Sequence, residues 1–127
     1  GNNFVKTMLR LLNDKDSISV VADQIGSPTN AIDLANAILE IVSKDELVYG
    51  IYNYSNEGEC SWFEFAQKIK EFSGSSIEIN PVPTSAYPTK AKRPAYSLLD
   101  KSKIKEVYQL EIPAWEDSLK EELKHLI

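Results

Sequence analysis

Apolar residues recur at helical spacing in long stretches of this chain. Between those stretches lie β-forming runs of five residues or fewer. Phe4, Val5, Met8, Leu11 and Leu12 predict a first helix over about Asn3 to Leu12. Ser17 to Val21 predicts a short strand. Ala31, Leu34, Ala35, Ile38, Ile41 and Val42 then mark one face of a second helix. Gly50 to Tyr54 is rich in β-formers and predicts another strand. Ser61 and Glu64 form a capping-box pair that opens a helix with Trp62, Phe65, Ala66, Ile69 and Phe72 inward, ended by Gly74. Ile77 to Ile79 alternates like a strand, and Pro81 to Pro94, with four prolines, predicts an ordered but irregular loop. Tyr96 to Leu99 is a fourth short strand, Lys101 to Tyr108 a short helix. Pro113 should open a last helix with Trp115, Leu119, Leu123 and Leu126 inward. Helices alternating with short strands give an α/β class, or α+β for these residues taken by themselves.

Size and composition place few obstacles before a core. A globule of 127 residues buries roughly two-thirds of its unfolded surface, enough for one domain without metals or disulfides. The net charge of −5 and the lack of a basic stripe argue against a nucleic-acid surface. Lys90, Lys92 and Arg93 are the densest cluster of cations, too small for a polyanion but suited to one or two phosphates. The single cysteine, Cys60, excludes an internal disulfide and fits a reducing cytoplasm. No apolar run is long enough for a membrane span. Asn3 stands directly before a helical pattern, as if the sequence began inside a longer protein.

Catalytic constellations are missing. Gly1, Gly26, Gly50, Gly58 and Gly74 are too far apart for a phosphate-binding glycine motif. The only histidine, His125, lies near the end of the last helical pattern, where a cation suits the helix dipole. None of the six tyrosines is followed four residues later by lysine, so no lysine-assisted tyrosine acid is present. Cys60 reads as inert, and Trp62 and Trp115 as core anchors.

Two stretches carry binding readings. In Asp23-Gln-Ile-Gly-Ser-Pro-Thr29, Gly26 permits a bend, Ser27 is a candidate N-cap with Pro28 at the first helical position, and Thr29 competes for the cap. A plain strand-to-helix connector explains those residues. It does not require Asp23 or Gln24, which leaves a cleft-lining role open for both. In Ala91-Lys92-Arg93-Pro94, the proline holds Arg93 in extended backbone. A guanidinium there can grip a diphosphate with paired hydrogen bonds, or it can simply order a proline-rich loop.

Five blocks together carry a family resemblance: the opening GNNFVKTML, then VVADQIGSPTNAIDLANAI, GIYNYSNEGECSWFEFAQKI and AKRPAYSLLDKSKI, and a terminal Pro-x-Trp helix. In order and spacing they resemble the C-terminal part of the dTDP-4-dehydrorhamnose reductase family, extended short-chain dehydrogenase/reductases. The resemblance implies an upstream Rossmann half that holds NADPH or NADH and supplies a Tyr-x-x-x-Lys pair. It also implies a C-terminal part, residues 1–127 here, that receives the dTDP-sugar. The 4-keto group of dTDP-4-dehydro-L-rhamnose would be reduced, a step toward rhamnose and cell-surface polysaccharide. Asp23, Gln24, Lys92 and Arg93 would then be substrate-binding, with no catalytic or cofactor-binding residue in this chain. Ala31 to Ile41 and Gly50 to Tyr54 would return to the Rossmann sheet, leaving surfaces here that the other half covers. Some family members are metal-linked homodimers using a carboxylate of the last helix. Here that stretch reads Glu122-Leu-Lys-His125, so no magnesium site is assigned. The second reading is a non-catalytic member of the same family, of the kind that serves as regulatory subunit of methionine adenosyltransferase.

Overall fold

The computed structural model describes all 127 residues. In chain order the elements are helix α1 (Phe4–Asp14), strands β1 (Ser17–Val21) and β2 (Ile25–Gly26), helix α2 (Ala31–Val42), strand β3 (Cys60–Ser61), helix α3 (Trp62–Ser73), strand β4 (Glu78–Val82), a 3-10 turn (Thr84–Ala86), and helices α4 (Ser102–Tyr108) and α5 (Trp115–Leu126). β1 and β4 pair in parallel with Ser17 opposite Glu78 and Val21 opposite Val82. A parallel pair needs a long crossover, and α2 and α3 lie within it. β2 pairs antiparallel with β3, and Tyr96 bridges to Ile25.

Local chemistry explains most boundaries. The Asn3 side chain accepts from the Lys6 N–H at 2.9 Å and starts α1. The capping box of α3 is complete: Glu64 N–H donates to Ser61 Oγ at 3.0 Å, and Ser61 N–H donates to Glu64 Oε2 at 2.6 Å. Gly74 ends that helix at φ 73°, where a side chain would be strained. The main core lies among α1, α3, α5 and the β1–β4 pair, with Ala66 and Ile69 fully enclosed and Leu123 at 1% exposure. A second, smaller core joins Ala37, Ile104, Tyr108 and Leu110.

Five expectations need correction. The cap of α2 is Asn30, whose Oδ1 accepts from the N–H groups of Ile32 and Asp33 at 2.8 and 3.0 Å. Ser27 and Thr29 do not take that role, because the Ser27 hydroxyl donates instead to Asn56 C=O at 2.6 Å. Gly50 to Tyr54 is not a strand: it finds no strand partner within this chain, and Ile51 C=O is taken by Lys103 Nζ at 2.9 Å. Tyr96 to Leu99 is reduced to the single bridge at Tyr96. α5 begins at Trp115 rather than Pro113, because Pro113 C=O and Trp115 N–H both bond the Glu57 backbone. Trp62 is 46% exposed. Its ring leans on Phe4 at 4.8 Å between centroids, but it stands in the first turn of α3 with an open side.

The apolar face of α2 is largely bare. Only Ala37 is buried, while Ile32, Ile38, Leu39 and Val42 are 59, 52, 64 and 62% exposed. Tyr49 and Ile51 are still more open, at 91 and 87%.

Candidate nucleotide-binding face

The Asp23–Thr29 stretch is defined by what it touches. Asp23 and Gln24 follow β1, and both reach Thr84, which follows β4. The Asp23 carboxylate accepts from the Thr84 N–H at 2.9 and 3.0 Å and from the Thr84 hydroxyl at 2.5 Å. Those bonds hold the Asp23 carboxyl below the usual carboxylate range. The Gln24 side-chain amide donates to the same hydroxyl at 3.1 Å. Ile25 then receives the far end of the proline-rich loop: its N–H donates to Ala95 C=O at 2.8 Å, and its C=O accepts from Ser97 N–H at 2.9 Å. Gly26 lies so close that an added Cβ would sit 3.1 Å from Ser97 Oγ. One short segment thus fastens both ends of the 84–95 loop.

That loop carries the cations. Lys90, Lys92 and Arg93 are exposed, and none of the three pairs with a carboxylate. Two half-open rings flank them in sequence. Tyr87 is 52% exposed and Tyr96 61% exposed. The Tyr96 hydroxyl donates to Glu59 at 2.9 Å, and that bond holds its proton on and raises its pKa. Unpaired cations on an exposed loop can take an anionic ligand. The structure brings Asp23 and Gln24 together at the root of this loop and puts Lys92 and Arg93 on its outer part. Thr84, Tyr87 and Tyr96 were not singled out by sequence reasoning. Asp23 and Thr84 each stand two residues past paired strand ends, a signal readable only once the β1–β4 register is known.

A second polar centre also escaped the sequence. Asn56 is fully buried. Its amide donates to Asp33 Oδ2 at 2.6 Å, Ser118 Oγ at 3.1 Å and Pro113 C=O at 3.2 Å, and its Oδ1 accepts from Asn30 N–H at 2.7 Å. Lys101, only 7% exposed, donates to Asn56 C=O at 3.0 Å and Ser55 Oγ at 3.3 Å. Glu57 pairs with Lys105 at 2.6 Å and stands 3.8 Å from Lys101 Nζ. Asn56 and Lys101 both find acceptors, so the centre stitches α2, α4 and α5 together, and its polar groups are engaged in holding the fold.

The remaining reactive side chains are quiet. Burial, with help from Glu64 and Glu116, pushes the Cys60 thiol up to about 12, so it stays protonated. His125 is exposed near the end of α5. Two concavities, of about 110 and 290 Å³, are lined with carboxylates, among them Asp33, Glu40 and Glu111 in the first and Glu59, Glu64, Glu71 and Glu116 in the second. An anion is repelled from both, so the exposed loop is the better anion surface although it is not a closed pocket.

The chain resembles known proteins over its whole length. The family described as "RmlD substrate binding domain" matches residues 1–127. The chain is 42% identical over 130 residues to the dTDP-4-dehydrorhamnose reductase of Aggregatibacter actinomycetemcomitans, covering 94% of this chain and 44% of that protein. It is 45% identical over 124 residues to the spore coat polysaccharide biosynthesis protein SpsK of Bacillus subtilis, covering 98% of this chain and 42% of that protein. The crystal structure of dTDP-4-dehydrorhamnose reductase from Bacillus anthracis in complex with NADP superposes with a TM-score of 0.90 at 42% identity, over 100% of this chain and 44% of that one. The chain therefore spans less than half the length of these relatives.

Proposed function

The chain belongs to the RmlD substrate binding domain family, and from that premise we propose that it is the sugar-nucleotide-binding part of an NAD(P)H-dependent dTDP-4-dehydrorhamnose reductase. The full protein would reduce the 4-keto group of dTDP-4-dehydro-L-rhamnose to give dTDP-L-rhamnose. The observation that carries the binding role is the exposed, unpaired Lys92–Arg93 pair on a loop fastened at both ends by residues 23–26. Arg93 offers a planar fork to a diphosphate, and Lys92 adds a point charge beside it. Gln24 and Asp23 hold the root of the same surface, and the Gln24 carbonyl oxygen is left to accept from a ligand.

The nicotinamide cofactor and the proton donor fit elsewhere. Residues 1–127 hold no glycine cradle for a dinucleotide and no lysine-assisted tyrosine, so neither hydride nor proton transfer is assigned to them. The bare face of α2 is apolar enough to be an interface. We assign it to the Rossmann half of the longer protein, and the substrate cleft to the seam between the two. A magnesium-linked dimer through α5 does not fit the donors present. Glu121 is bonded to Lys124 at 2.7 Å, so a cation already holds that carboxylate. The regulatory-subunit reading is not favoured, since relatives at 38 to 45% identity carry the names of reductases or of a polysaccharide biosynthesis protein.

Arg93→Lys in the full-length protein tests the reading. Lysine keeps the charge but not the fork, so the dTDP dissociation constant should rise about tenfold, the equivalent of part of a charge-assisted hydrogen bond. NADPH affinity should not change. Calorimetric titration with each ligand separates the two, and equal dTDP affinity in variant and parent would place Arg93 outside the site.

A further inference from the structure

We propose that Asp23 is a positioning residue that sets the Lys92–Arg93 loop through Thr84 without itself touching the ligand. The inference rests on the reading of that loop as the diphosphate grip. Pairing between β1 and β4 runs one residue past the strands, through Ala22 N–H to Val82 C=O at 2.9 Å. This brings Asp23 and Thr84 level. Thr84 then gives Asp23 both of its donors, the backbone N–H and the hydroxyl, and its oxygen accepts from Gln24. A hydroxyl has one proton, so the donor of the Thr84 side chain is committed to Asp23 at the loop's entrance.

Beyond Thr84 the chain has little else to hold it. The Tyr87 hydroxyl reaches Ser19 C=O at a long 3.4 Å, and the Thr89 hydroxyl bonds only Ala91 within the loop. Residues 85–95 are all exposed. A segment with so few buried contacts opens at low free energy, and its order depends on its anchors. The exit anchor at Ile25 is backbone and survives any side-chain change. The entrance anchor is a carboxylate and does not. A ligand that binds a loosened loop must order it first, which weakens affinity without the loss of any ligand contact.

The test uses the full-length protein. In Asp23→Ala, amide exchange at Thr84 and through the loop should quicken by about tenfold or more, while exchange in α3 stays put. The dTDP dissociation constant should rise by about three- to tenfold, with NADPH affinity unchanged. Thr84→Ser keeps both donors and should match the parent, whereas Thr84→Val loses the hydroxyl and should behave like a milder Asp23→Ala. In an Arg93→Ala background, Asp23→Ala should add nothing further to the dTDP constant, because the loop then has little to position. Full additivity with unaltered loop exchange would mean that Asp23 meets the ligand directly, and would overturn the proposal. If Arg93→Ala alone leaves dTDP affinity untouched, the reading of the loop as a grip fails and takes the ligand half of the proposal with it. Loop exchange in Asp23→Ala still decides whether the clasp exists.

Discussion

Asn56→Ala should be the most damaging single polar substitution in this chain. The side chain is fully buried and shares two amide protons among Asp33, Ser118 and Pro113 while accepting from Asn30 N–H. Removing it takes a charge-assisted bond from Asp33, worth about 1.5–3 kcal/mol, and strands at least one backbone group, at about 1–3 kcal/mol. Asp33 is half-buried and water can replace part of its bond, so the lower half of the sum applies, about 3–4 kcal/mol. That is a large share of the roughly 5–15 kcal/mol that holds a typical domain together. With a urea slope of about 1–3 kcal/mol per molar, the unfolding midpoint should fall by about 2 M. Trp115, only 4% exposed, supplies a fluorescence signal that changes on unfolding. Asn56→Asp sharpens the test. It places a second carboxylate where the amide now meets Asp33 Oδ2 at 2.6 Å. The introduced carboxyl would have a folded pKa raised above its unfolded value of about 3.9. Its penalty is therefore small near that value and grows as pH rises toward the folded pKa. The gap to the parent should be widest near pH 7 and narrower near about pH 5. A loss below about 1 kcal/mol for Asn56→Ala, or an Asn56→Asp gap that ignores pH over that range, would refute the claim that the bonds of Asn56 hold this centre together.

The two tryptophans should separate in thermal melts: Trp115→Ala loses about 3–5 kcal/mol as a buried anchor, while Trp62→Ala, with nearly half its surface already in water, loses about 1–2 kcal/mol. Equal shifts would show that Trp62 is buried as deeply as Trp115. Cys60 should react with iodoacetamide near pH 8 at least about a hundredfold more slowly than free cysteine, and reach the free rate only in denaturant; fast labelling of the folded chain would show an exposed thiolate. The 127 residues alone should transfer no hydride from NADPH to a dTDP-4-keto sugar, and turnover above the blank in a spectrophotometric assay would show that they hold more of the active site than the loop described above.

Periodicity and local capping decided most of the helices from the sequence alone. Apolar spacing located α1, α3 and α5, and the Ser61–Glu64 box and Gly74 marked both ends of α3, because these signals are satisfied within a few residues of chain. The cation cluster at 90–93 and the absence of cofactor motifs were equally legible, since charge and glycine spacing need no fold to be read. Whatever depends on a partner far along the chain was not. Gly50 to Tyr54 has the composition of a strand, but a strand exists only where another backbone takes its hydrogen bonds, and none in this chain does. Ser27 has the side chain of a cap, but the Asn56 carbonyl claims its hydroxyl from 29 positions away. The role of Asp23 was hidden in the same way: nothing near it in sequence shows that parallel pairing of β1 with β4 will bring Thr84 to its carboxylate, 61 positions on. Tertiary structure decided those cases because a buried or clasped polar group takes whichever partner the packing brings within about 3 Å.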